Sequence, residues 1–259
     1  MSDAVSTLLD QHEALDQARP WRAAAVREIG RRLGDFGFPC IFARNAFKKG
    51  LVQFVLVDAV DDHALRDLAV ALERYVLESR DWDRRVDSAR PLVVLFSPAL
   101  TGRRTVRGYH AFGWEVLGRL HALDPGPWPE SVSRDPEDPS WSMCFAGMPL
   151  FVNMSTPTHR RRRSRNLGDG LAFVVNPRER FDVLAGDTPR GRKTRETIRR
   201  RVDHYDDVPH STDLATYGSG ATEWQQYELL DDDATAHPPA CPFHRGVPSG
   251  APTIQELSS

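Results

Sequence analysis

The chain has 259 residues, 40% hydrophobic and 27% charged, enough to bury one substantial core. Its formal net charge of -2 argues against a broadly basic, nucleic-acid-seeking surface, and three scattered cysteines, Cys40, Cys144 and Cys241, exclude a disulfide framework and a paired C-x-x-C zinc site. No apolar run approaches the roughly 20 residues that a membrane span needs, and MSDAVSTLLDQHEALDQARP lacks the basic start and apolar middle of a signal peptide, so a cytoplasmic protein with no membrane contact is expected.

Residues 20–36, PWRAAAVREIGRRLGDF, carry apolar positions at helical spacing with Pro20 at the start, which predicts an amphipathic helix. QFVLVDAV (53–60) is an apolar, β-branched run and predicts a buried strand. Asp61 and Asp62 stand where an N-cap belongs, ahead of the helical HALRDLAVALERYVLES. PLVVLFS (91–97) reads as the next buried strand and residues 105–123 as the next helix. The prolines between Asp124 and Trp141 forbid regular structure there, and Trp128 and Trp141 should pack that loop on the body. Strands are expected at 142–154 and 171–177, then a helix near 191–206, a turn-rich stretch over 207–221, a short helix in TEWQQYELLDDD with Thr222 as N-cap, and a disordered tail from 249. Alternating strands and helices predict a mixed α/β fold, a central β-sheet with flanking helices in a single compact domain over residues 1–248.

Phosphate-binding fingerprints, a G-x-S-x-G elbow and an H-E-x-x-H helix are absent, and GSGAT (218–222) is a weak glycine signal. The conspicuous feature is STPTHRRRRSRN (155–166), where His159 precedes four arginines and Arg165 follows, on a loop between two core strands. Three readings are open: a solvated loop, a nucleic-acid clamp poorly matched to an otherwise acidic chain, and a site for a small polyanionic cofactor. In the third, an imidazole acts as ligand while guanidiniums pair with carboxylates, a description that haem fits with its two propionates and its iron. His110 and His121 share one predicted helix, and eleven residues at about 100° each bring them to within about 20° of the same side.

The blocks FPCIFARNAFKKG (38–50), LHALDPGPWP (120–129), WSMCFAGMPLFVNMSTPTHRRRRSRNLG (141–168), FVVNPRERFD (173–182), TEWQQYELLDDD (222–233) and CPF (241–243) resemble, in order, the YqcI/YcgG family. The resemblance implies a haem-dependent N-oxygenase using haem b (iron protoporphyrin IX), O2 and an external electron donor. The implied reaction is hydroxylation of a guanidino nitrogen of L-arginine or a related amino acid, giving Nω-hydroxy-L-arginine in cycloserine-like antibiotic biosynthesis. A non-catalytic haem sensor or carrier, and a haem-free module binding an anion or RNA, are the alternatives, and the oligomeric state is open.

On this reading His159 is the first choice for the iron ligand and His121 the second, with Met148 open as a further axial group and Met154 a packing residue. Either of the thiols Cys40 and Cys241, in FPCIF and ACPFH, could bind iron instead. Arg161, Arg163 and Arg165 are candidate propionate partners; neighbours on an extended loop point to opposite sides, so only some can serve, and Arg161 and Arg163 could simply be solvated. Glu223 is the first candidate to receive the substrate guanidinium, with Asp182 and Glu179 behind it. Trp224 and Tyr227 could stack on the guanidinium plane or anchor the core.

Overall fold

Two apolar runs, QFVLV and LVVLF, are buried along their whole length, as strands covered on both faces must be. The computed structural model describes residues 6–214, 221–232 and 237–245. The runs form β1 (Gln53–Val57) and β2 (Leu92–Phe96), which pair in parallel. β3 (Met143–Phe145), β4 (Met148–Ser155) and β5 (Ala172–Pro177) add antiparallel strands, giving one sheet in the order β1-β2-β5-β4-β3. The described α-helices are α1 (Gln11–Leu15), α2 (Pro20–Gly34), α3 (Ile41–Lys48), α4 (Asp62–Ser79), α5 (Pro98–Thr101), α6 (Val106–Ala122), α7 (Arg178–Ala185), α8 (Pro189–Tyr205) and α9 (Trp224–Tyr227). This is the mixed α/β single domain that the sequence pattern predicts. No described helix is long and apolar enough to cross a membrane.

Side-chain alternation divides the sheet into two faces. Val55, Val57, Val94, Phe96, Phe173, Val175, Val152 and Met154 join the core beneath α4 and α6. α6 comes close because Gly113 has no side chain: a Cβ there would lie 2.7 Å from the Met154 sulfur. On the opposite face, Phe54, Leu56, Val93 and Leu95 pack against Val26, Ile29 and Leu33 of α2.

Caps fix the ends of these elements. The Asp61 carboxylate accepts from the amides of His63 (3.0 Å) and Ala64 (2.9 Å), and Thr105 caps α6 through the Gly108 amide at 3.2 Å. β1 stops at Val57 because Asp58 turns its carboxylate to Trp21 Nε1 (2.8 Å) and Arg22. The stretch 142–154 is a hairpin and not one strand. Ala146 (φ 49°) and Gly147 (φ 72°) both take left-handed backbone, the requirement of a two-residue turn, and Asp124 Oδ1 accepts the Ala146 amide at 2.8 Å. Trp141 is fully buried and Trp128 donates to the Val132 carbonyl at 2.9 Å, so the proline-rich loop packs as expected. Glu223, not Thr222, is the N-cap of α9. The tail from 249, Gly218, Gly220 and the side chain of His244 lie outside the described residues.

Candidate functional site

Past the edge of the α2 core, the second face of the sheet carries Val93 of β2, Val174 and Asn176 of β5, and Phe151, Asn153 and Ser155 of β4. α3, α7 and α8 stand over this region without closing on it. They enclose a cavity of about 370 Å³, within the range of roughly 300 to 1,000 Å³ usual for small-molecule sites. Leu33, Phe38, Phe42, Ala43, Phe181 and Leu184 give it apolar walls, and Asn153, Asn176, Gln226, Asp182 and Cys40 supply neutral or acidic polar groups. Six arginines reach it: Arg162, Arg165, Arg178, Arg180, Arg195 and Arg199.

The arginine loop divides by side. A turn of 3-10 helix at Arg163–Arg165 makes Arg162 and Arg165 buried and leaves Arg160, Arg161 and Arg163 exposed. Arg161 pairs with Asp232 at 3.6 Å, and Arg163 with Asp207 at 3.7 Å while lying over the Tyr205 ring. The loop backbone is gathered by one carboxylate: Asp231 accepts from the amides of Arg160 (3.3 Å), Arg161 (2.9 Å) and Arg162 (2.9 Å). Arg162 donates to the carbonyls of Leu230 (2.8 Å) and Pro209 (3.1 Å). Arg165 is 7% exposed and its Nη1 has no hydrogen-bond partner. Burial, and then the like charge of Arg162, bring its guanidinium down to about 9.

His159 is buried beneath this loop. Its Nε2 lies 2.8 Å from the Leu229 carbonyl, which only accepts, so Nε2 carries the proton; Nδ1 then accepts from the Thr156 hydroxyl at 2.9 Å. Both nitrogens are spent within the protein, and burial pulls the imidazole down to about 4. The structure thus places His159 as a pin between the arginine loop and residues 229–231, not on the cavity wall. His110, whose ring centre lies 5.7 Å away, is also buried, and neither of its ring nitrogens has a hydrogen-bond partner. Burial, then the neighbouring His159, holds it well below its ordinary value.

The remaining sequence candidates separate by face. His121 packs against Trp128 and Phe243, with ring centres at 5.5 and 5.1 Å, on the α6 side of the sheet. Met148, Met154, Cys241, Trp224 and Tyr227 belong to that same core. Glu223 is buried there and accepts hydrogen bonds from Ser142 Oγ and Tyr227 Oη, both at 2.6 Å. It forms an ion pair with Arg178 and so sits behind a cavity residue instead of facing the cavity; burial raises its carboxyl. Asp182 does line the cavity, half-exposed, 3.5 Å from Arg178 Nη2, with its carboxyl raised by burial. Glu179 is on the surface, paired with Arg84 at 2.8 Å. Sequence reading passed over Asn153, Asn176 and Gln226. The two asparagines interrupt FVNMS and VVNP at the strand phase that faces the cavity, and that misplaced polarity was the available signal.

Among the described residues no group of three or more His, Cys, Asp or Glu side chains could hold a metal ion. A haem iron asks only one or two side chains of its protein, with apolar walls for the macrocycle and cations for the propionates. The cavity meets that test: it is largely apolar, has a thiol on its wall, and contains a buried guanidinium nitrogen without a partner.

The model of the YqcI/YcgG family matches residues 30–244. A Streptomyces lavendulae protein, DcsA, provisionally named an Nω-hydroxy-L-arginine synthase, is 52% identical over 91% of this chain and 89% of its own length. Two Bacillus subtilis (strain 168) proteins of uncharacterised function, YcgG and YqcI, are 34% and 32% identical, each over 86% of this chain and 88% and 87% of their own lengths. No solved structure matches.

Proposed function

Since this chain belongs to the YqcI/YcgG family, we propose that it is a haem-dependent enzyme that hydroxylates a terminal guanidino nitrogen of L-arginine, giving Nω-hydroxy-L-arginine for a natural-product pathway. The observation that carries the reading is the cavity, apolar enough for a porphyrin and edged by arginines, in a chain 52% identical to a protein named for this product. One oxygen atom of O2 ends on the guanidino nitrogen and the other leaves as water; two electrons and two protons come from outside, because the chain has no flavin or nicotinamide fingerprint.

The bound haem supplies O2 activation, the chemistry that side chains lack. The protein's own residues supply placement. Arg162 and Arg165 offer charge to carboxylates at one end of β5, and Arg178 offers it at the other end. Asp182, its carboxyl on the wall, is suited to receive a guanidinium, and the Asn153, Asn176 and Gln226 amides can hydrogen-bond the uncharged parts of an amino acid. Phe42, Phe151 and Phe181 keep water from the reacting nitrogen.

The test is to supply haem-loaded protein with L-arginine, a reductant and isotopically labelled O2, and to analyse products by mass spectrometry. The expected result is Nω-hydroxy-L-arginine carrying one labelled oxygen, formed only with haem present. Haem binding without any arginine product would instead favour a sensor or carrier, and a protein that takes up no haem would defeat the reading.

A further inference from the structure

We propose that Cys40 is the thiolate ligand of the haem iron and that Arg165 is the fixed cation beside it. This assignment rests on the haem-dependent reading and deepens it. Among the described residues that line the cavity, Cys40 is the only one of the side-chain types that ligate haem iron; no histidine, methionine or tyrosine lines it. His159 has spent both nitrogens, and His121, Met148 and Cys241 belong to the opposite side of the sheet.

Burial raises the Cys40 thiol, and the groups around it oppose that rise. Cys40 is the N-cap of the eight-residue α3, and its sulfur accepts the Ala43 amide at 3.4 Å, at the positive end of the helix. Arg165 independently calls for an anion. It lines the same cavity, is 7% exposed, and keeps Nη1 without a partner. A buried, under-compensated guanidinium is costly unless a charged group comes to meet it. It interacts electrostatically with Cys40 and favours the charged form of that thiol. Thiolate ligation also fits the proposed chemistry, because it pushes electron density toward the iron and favours O–O cleavage.

The experiment loads the full-length protein, and its Cys40→Ser, Cys40→His and Arg165→Met variants, with haem. The ferrous carbonyl spectrum and the ferric electron-paramagnetic-resonance spectrum are then recorded, with thermal melts of the haem-free proteins to establish folding. The wild type should show the red-shifted carbonyl band and low-spin signal of a thiolate ligand. Cys40→Ser should lose both, and Cys40→His should move them to imidazole type. Arg165→Met should keep the thiolate spectrum while binding haem about tenfold more weakly. An imidazole-type spectrum in the wild type, or an unchanged spectrum in folded Cys40→Ser, would overturn the ligand assignment and leave the haem reading standing. Failure of the wild type to bind haem would overturn both.

Discussion

Glu223→Gln is expected to destabilise the protein by about 3 to 5 kcal/mol, the usual penalty for removing one partner of a buried ion pair. Glutamine preserves volume and can still meet the Ser142 and Tyr227 hydroxyls, so the loss isolates the charge. What remains is Arg178, 8% exposed, with Asp182 at 3.5 Å as its nearest described carboxylate. Urea denaturation of Glu223→Gln, Arg178→Met and the double variant measures the coupling, and the double should cost less than the sum of the singles. Unchanged stability with loss of arginine binding would return Glu223 to the substrate-binding role that its sequence suggests.

The second large effect is loss of stability in acid. His159 titrates near 6.5 when unfolded and at about 4 when folded, so the unfolded chain binds more protons between those values. The stabilisation is therefore complete above about 6.5 and is lost as pH falls toward 4, by about 3 kcal/mol for this residue alone. His110, held well below its ordinary value, acts with the same sign. Its ring nitrogens have no partners, so His110→Phe should leave stability at pH 7 equal or slightly higher and flatten the acid limb. Denaturant midpoints at pH 7 and pH 5 decide it; an acid limb as steep as that of the wild type would show that His110 is readily protonated in the fold.

Most of the scaffold was legible because its signals are local. β1 and β2 are apolar runs, α4 has Asp61 at its cap, and α6 follows Thr105. The misses are elements that tertiary contacts hold. α3 buries only Ala46 and is just eight residues long, too short for the helical recurrence of Phe42, Ala43, Ala46 and Phe47 to stand out; α7 lies in a polar stretch and is anchored by Arg178 and Arg180, which reach Glu223 and Tyr75, 45 and 105 residues away in sequence. The hairpin turn at Ala146 was hidden because alanine seldom takes left-handed backbone.

The site was legible in composition but not in direction. The arginine run stood out, yet which arginines face inward depends on a 3-10 turn and on Asp231, about 70 residues away, holding the loop backbone. His159 stood out because it heads the arginine run, but the Leu229 carbonyl that occupies it cannot be read from its neighbours. FPCIF and ACPFH look alike as sequence. Only the sheet separates them, with Cys40 on the cavity wall and Cys241 in the opposite core.

The proposed function puts haem in the cavity between the sheet and α3, α7 and α8. The most direct measurement is haem stoichiometry by absorbance titration of the wild type and of Ala43→Trp, which fills the cavity from the first turn of α3. Near-stoichiometric binding by the wild type, and its loss in an Ala43→Trp protein that still unfolds cooperatively, is the predicted result. Equal haem binding by both proteins would place the cofactor outside this cavity.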